Sequence, residues 1–240
     1  MTRSETAVRR SSHFRDSGIS YLSTCVYIDG FNLYNGAVKR TQFKWLDISQ
    51  VCQKLLVGHS VDLIRYFTAH VIGFAHDPQA PARQNVYLRA LETLPNVVIH
   101  DDGWFSLHAA LLPQYPLAYR PENQKPPTRP PQFVQVQRSE EKRTDVDIAT
   151  HLLLDCFDNR FDEFVVISND GDLTLPIEKV RDQFGKRIGV INPHRSRMSG
   201  TLIKASSYYI RNINRSVLAS SLFPSTLTDA KGTFSKPSSW

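Results

Sequence analysis

Two short acidic runs directly follow apolar, β-type segments: Tyr27-Ile28-Asp29-Gly30-Phe31-Asn32 and Ser168-Asn169-Asp170-Gly171-Asp172. In an open parallel sheet the carboxyl ends of the strands form the edge where loops and helix N-termini converge, and ligand chemistry collects there. A third run, Thr144-Asp145-Val146-Asp147, opens an apolar-periodic segment. Carboxylates gathered at one edge raise one another's pKa, so their grouping calls for a cation. Hard oxygen donors without a Cys/His cluster suit Mg²⁺ or Mn²⁺ better than Zn²⁺. The chemistry that suits such a site is phosphodiester hydrolysis, in which cations bind the scissile phosphate, activate water and stabilise the leaving oxygen. Asn32 is placed to orient the phosphate or the water. Ser168, Asn169, Lys142 and Arg195 are candidates for substrate contact.

Each acid taken alone has a plainer reading. Asp172 or Ser168 caps the following helix, and Asp29 forms an Asx turn. The pairing of strand-end acids is what favours the metal. With Thr144 as N-cap, Asp145 takes the first helical position and points past the N-terminus toward the other acids, while Asp147 completes a variant capping box. His151 and Asp155 continue from Asp147 at i+4 spacing, a polar stripe opposite Ile148, Leu152 and Cys156 whose simpler role is solvation or hydrogen bonding. Ser168 lacks a GxSxG elbow, and the glycines form neither a Walker A loop nor GxGxxG.

The elements that must hold these residues alternate between strand and helix, which predicts an α/β fold with a mostly parallel sheet. The order expected is strand 22–29, helix 48–56, strand 61–72, helix 81–93 and strand 96–105. A proline-rich insertion at 108–131 and a short strand at 133–137 follow. After them come helix 145–157, strand 163–168, helix 173–184, strand 187–191, a helical piece at 199–205 and a strand at 208–210. Residues 1–20 read as a flexible leader, 21–215 as the domain, and 216–240 as a tail, loose after Phe223.

The chain has 240 residues, 41% hydrophobic and 22% charged, which excludes wholesale disorder, collagen and a membrane bundle. No apolar run approaches the roughly 18 residues of a membrane span, and the expected setting is cytoplasmic. Cys25, Cys52 and Cys156 form no CxxC pair and sit in apolar stretches, as buried thiols do. The net charge is +6, but its distribution is uneven. From Pro176 onward eleven Lys/Arg face three acids, about +8, which leaves about −2 for the rest. A basic last third beside an acidic centre fits a polyanionic partner.

The runs VYIDGFNLYNG, EEKRTDVDIATHLLLD and EFVVISNDGDLTLPIEKVRDQFGKRIGVINP, in that order across Cys25 to Arg211, resemble the NYN domain, the LabA-like branch of the PIN-like nuclease superfamily. The resemblance implies a PIN-like (Rossmannoid) three-layer α/β fold and Mg²⁺- or Mn²⁺-dependent cleavage of RNA. It maps the metal-binding and catalytic acids onto Asp29, Asp145, Asp170 and Asp172, with Asn32 beside them. It departs at His151, where many NYN members carry a further Asp, so His151 is an accessory candidate. The expectation is an endonuclease of single-stranded RNA. The rival is a nuclease-like RNA-binding or adaptor module with a weak metal site, and a phosphatase or nucleotide hydrolase has no use for the basic segment. The oligomeric state is left open, a homodimer included.

Overall fold

Strand β1 (Leu22–Asp29) occupies the middle of the sheet because both of its faces are apolar and both are covered. Its side chains alternate: Val26 and Ile28 enter one core, Cys25 and Tyr27 the other. The computed structural model describes residues 21–113, 133–195 and 198–240. The other strands are β2 (His59–Ala69), β3 (Val97–Pro113), β4 (Phe133–Lys142), β5 (Glu163–Ile167), β6 (Arg187–Ile191) and β7 (Tyr208–Ile210). They form a seven-stranded sheet in the order β4-β3-β2-β1-β5-β6-β7. All neighbours run parallel except β3 and β4.

Helices α1 (Gly30–Leu33), α2 (Ile48–Leu55) and α3 (Ala80–Leu91) contribute to the first core, whose side chains include Trp45, Ile48, Tyr66 and Leu91. Helices α4 (Thr144–Phe157), α5 (Thr174–Asp182) and α6 (Gly200–Ala205) cover the opposite face through Ile148, Leu152, Ile177 and Leu202. The result is a three-layer α/β fold with a mostly parallel sheet flanked by helices. Strand order steps outward in both directions from β1 and β5, so their carboxyl ends meet at the topological switch point. The chain leaves β1 through Gly30, where a Cβ would come within 2.7 Å of the Phe67 carbonyl oxygen and the Tyr66 ring. Only glycine lets α1 start so close to β2.

Three expectations change. The region taken as a loop from His108 is strand through Pro113, and β4 extends to Lys142, five residues past the expected end, paired antiparallel with β3. The charged stretch RSEEK reads as loop by composition, but ladder hydrogen bonds hold it extended. Residues 114–132 of the insertion, like the leader 1–20, lie outside the described residues. Thr144 does not cap α4: Arg143, in a left-handed turn with φ 87°, occupies that position, and the Thr144 hydroxyl bonds Glu141. Asp147 forms no capping box and instead accepts from Arg143 Nε at 3.1 Å.

The tail is not loose. After α7 (Arg215–Ala219), strands β8 (Thr226–Asp229) and β9 (Gly232–Ser235) form a hairpin whose turn reaches Gly232 at φ 111°. Arg89 grips Asp229 with two 2.7 Å hydrogen bonds and lies 4.1 Å over the Phe234 ring. Trp45, buried beneath, donates Nε1–H to the Pro224 carbonyl at 2.8 Å and packs against Phe223, Phe234 and Trp240. The alternation in TLTDAKGTFS carried this signal, masked by a Ser/Thr/Pro-rich surround. The described cysteines are all free and buried. Among the described residues no helix is long and apolar enough to cross a membrane.

Candidate functional site

Asp29 closes β1 almost fully buried, with 4% of its surface exposed. One carboxylate oxygen accepts from the Asn32 N–H at 2.9 Å, capping α1, and the other accepts from Ser168 Oγ at 3.1 Å. Ser168 Oγ in turn accepts from the Asp170 N–H at 3.1 Å, and Asp170 accepts from the Asp172 N–H at 3.0 Å. A chain of hydrogen bonds thus ties the end of β1 to the loop after β5. Asp29 caps α1, while at the end of β5 the cap is Asp170 rather than the expected Asp172 or Ser168, and the two caps position their carboxylates at one edge.

Asn32 and Asn169 are anchored through their side-chain oxygens. Asn32 Oδ1 accepts from the Asn169 N–H at 3.0 Å and meets His194 Nε2 at 2.9 Å, while Asn169 Oδ1 accepts from the Ser199 N–H at 2.8 Å. Among the described residues the Asn32 amide nitrogen makes no hydrogen bond, which leaves its two donors uncommitted.

Asp145 enters from the first turn of α4. Burial, then the charges of Asp170, Asp29 and Asp172, push its carboxyl up to about 6. Glu141, near the end of β4, is pushed up to about 7 by burial and by Asp29 and Asp145. Burial also raises Asp29, against the hydrogen bonds from Asn32 and Ser168, and Asp170 adds to the rise. Among the described residues none of these five carboxylates is ion-paired to a Lys, Arg or His. The donor set is hard oxygen throughout and suits Mg²⁺ or Mn²⁺. As placed, no three His, Cys, Asp or Glu side chains among the described residues are drawn to the spacing of a closed metal cage. The fit to a divalent ion therefore rests on the chemistry and mutual charge of the donors.

The electrostatic strain has a measurable consequence. Between 3.8 and about 6 the folded chain keeps a proton on Asp145 that the unfolded chain releases, so Asp145 weakens folding progressively as pH rises through that window. Asp145→Asn removes this penalty. In EDTA its thermal unfolding midpoint is expected above that of the unsubstituted chain at pH 7, with the gain shrinking as pH falls toward 4. An unchanged or lower midpoint at pH 7 contradicts the strain.

The remaining expected residues divide between the acid edge and other parts of the fold. His151 faces His100 at 4.2 Å between ring centroids and Phe67 at 5.7 Å, inside an aromatic stack on the α4 face. Below it Asp155 is buried and saturated: Arg65 holds both of its oxygens at 2.8 and 3.0 Å, Tyr27 donates at 2.5 Å and Arg160 at 3.0 Å. Lys142 and Arg195 are exposed, Lys142 next to Glu141 and Arg195 in the loop after β6 at the carboxyl edge. The basic segment divides. Lys186 and Arg187 sit at the amino edge, on the far side of the sheet from the acids, where Lys186 donates to the Phe161 carbonyl and Arg187 to Glu163. They cannot flank the acidic edge. Sequence reading missed Glu141, hidden in a charge run, and His194, which has no motif around it. Three of the five carboxylates follow directly from strand-end position, as residues on or just after β1 and β5.

The NYN domain matches residues 23–214 of the chain. A curated relative, 6-hydroxy-3-succinoylpyridine 3-monooxygenase HspA of Pseudomonas putida, is 30% identical over 91% of this chain and 75% of its own length. A crystal structure of a protein of unknown function from Vibrio parahaemolyticus RIMD 2210633 superposes with a TM-score of 0.49 at 16% identity, covering 86% of this chain and 97% of that one. With four-fifths of its length matched to that domain, this chain belongs to the NYN-domain family.

Proposed function

We propose that this chain is a metal-dependent endoribonuclease acting on single-stranded RNA. The observation that carries the reading is the set of five carboxylates at the carboxyl edge of the sheet, with Asp145 and Glu141 pushed toward neutrality by burial and by the other acids. Asp29, Asp145, Asp170 and Asp172 would hold Mg²⁺ or Mn²⁺. When bound, the ion supplies Lewis-acid polarisation of the phosphate and charge compensation for the leaving oxygen. The Asn32 amide donates to a phosphate oxygen, held in aim by His194 and the Asn169 backbone. Glu141, near 7, is suited to take a proton from an attacking water, its other oxygen being occupied by Thr144. Arg195, Arg211 and Lys142 are exposed and carry the charge for the RNA backbone.

Incubating the purified chain with a mixed RNA pool and Mn²⁺ is expected to give internal cleavage that EDTA abolishes. Salt-sensitive binding with no cleavage would replace this reading with that of an RNA-binding module.

The name of the curated relative favours a second reading, oxygenation of a hydroxypyridine. Oxygen uptake dependent on 6-hydroxy-3-succinoylpyridine and a supplied electron donor, without RNA cleavage, is the outcome that would select it.

A further inference from the structure

On the opposite face of the sheet from α4 lies a cavity of about 440 Å³, within the roughly 300–1,000 Å³ range of small-molecule sites. It is bounded by α1, the turn after it, β2 and α3, and its walls are aromatic: Phe31, Tyr34, Tyr66, Tyr87 and Trp240. Tyr66 stands edge-on to Tyr87, with 6.4 Å between centroids, and Tyr87 edge-on to Trp240 at 5.9 Å. The rings make a corner in which a flat guest stacks on one wall and meets others at their edges, the two geometries aromatic pairs prefer.

Several of the polar groups at the cavity are committed elsewhere. Tyr87 donates its hydroxyl to the Leu46 carbonyl at 2.9 Å. Gln84 is spent on backbone, accepting from the Val71 N–H and donating to the Ala69 carbonyl, both at 2.8 Å. Arg83 is paired to Asp77 at 2.5 Å. Lys44 is half-buried in the lining and makes no hydrogen bond or ion pair among the described residues. Two cations against one carboxylate leave a net charge of +1 at the cavity, and Lys44, together with the N–H groups of Arg83 not spent on Asp77, can donate to an anion there. An aromatic box with one free ammonium is the complement of a flat ring bearing one anionic arm.

We propose that this cavity binds a planar heteroaromatic molecule carrying a carboxylate or phosphate, its ring against Tyr34, Tyr66, Tyr87 and Trp240 and its anion on Lys44 beside Arg83. The cavity begins at Gly30 and Phe31, directly after Asp29, but none of the five carboxylates lines it, and its occupation does not depend on whether they cleave RNA. The same chemistry has two sources, a mononucleotide or a small aromatic acid, and the titration below separates them.

Calorimetric titration of the full chain uses adenosine 5′-monophosphate and nicotinate as anionic probes, with adenosine and nicotinamide as their uncharged counterparts. At least one anionic probe is expected to bind more tightly than its counterpart, and the preferred one identifies the source. Lys44→Ala is expected to weaken that anion about 10-fold and to leave the uncharged counterpart unchanged, the effect of losing one charge-assisted contact. Ala80→Trp, which places an indole at the lining, is expected to abolish binding of both. Failure of both anions to bind, equal affinity for charged and uncharged forms, or binding unmoved by Lys44→Ala overturns the proposal. Lys44 is not part of the core, so that variant keeps the test decisive should Ala80→Trp fold poorly.

Discussion

Asp29→Asn, assayed on a mixed RNA pool with Mn²⁺, is expected to cleave on the order of 100-fold or more slowly than the unsubstituted chain, with no loss of thermal stability. The substitution separates charge from scaffold. Asn retains an oxygen to accept the Asn32 N–H, so the cap of α1 survives. The Ser168 hydroxyl can rotate to accept from the new amide. What disappears is a buried negative charge whose pKa is raised by burial, so folding loses nothing from its removal. Asp170→Asn is the companion variant, acting from the β5 loop with the acceptor for the Asp172 N–H retained. Undiminished Mn²⁺-dependent cleavage in both variants would sink the assignment of the acid edge as the reactive site.

Arg65→Leu is expected to cost about 3–5 kcal/mol of unfolding free energy in urea denaturation at pH 7. Arg65 and Asp155 side chains are 7% and 3% exposed, and the guanidinium holds both carboxylate oxygens. Removing the cation strands Asp155 as a buried charge. Arg160 keeps one contact, which favours the lower end of the range. Replacing both partners, Arg65→Leu with Asp155→Leu, is expected to recover part of the loss, because the buried unpaired carboxylate is gone although Tyr27 and Arg160 lose their acceptor. Equal destabilisation of the single and double variants would show that Arg65 acts through packing alone.

The same cluster sets the acid limit of the native chain. Burial would raise Asp155, but the hydrogen bonds from Arg65 and Tyr27 outweigh it and hold the carboxyl below 3.8, so its stabilisation persists above that value and fails as pH falls through the folded pKa. His100 titrates earlier. Burial, His151 and Arg65 depress it from 6.5 to about 4, so the unfolded chain takes up a proton there that the folded chain refuses, and stability declines as pH drops across that window.

The sequence made the sheet and the strand-end acids legible because both follow from local rules. An apolar run broken by Asp-Gly predicts a strand entering a tight turn, and Asp29 and Asp170 are found at those turns. Position relative to other strands is nonlocal, and there the reading lost resolution. Glu141 reaches the acid edge only because β4 pairs with β3 through Trp104↔Lys142, a register no composition announces. His194 meets Asn32 across 162 positions of chain. Lys186 and Arg187 counted toward a basic face, yet the direction of β6 puts them at the wrong edge. Net charge by segment says how much charge there is, and strand direction decides where it points.

The buried Asp155 cluster also bears on Asp145, although the two never touch. They share α4, separated by ten residues, about 15 Å along the helix axis. At one end the helix carries a carboxylate that its neighbours repel; at the other it is moored to β1, β2 and the turn after it by a charged knot. The N-terminal turn is held by Thr144 on Glu141 and by Ile148 in the core, while the charged anchorage lies at the end where no chemistry takes place. A loosened mooring would let the helix shift as a unit, seen at its other end as drift of Asp145 away from Asp29 while the rest of the sheet stays in register.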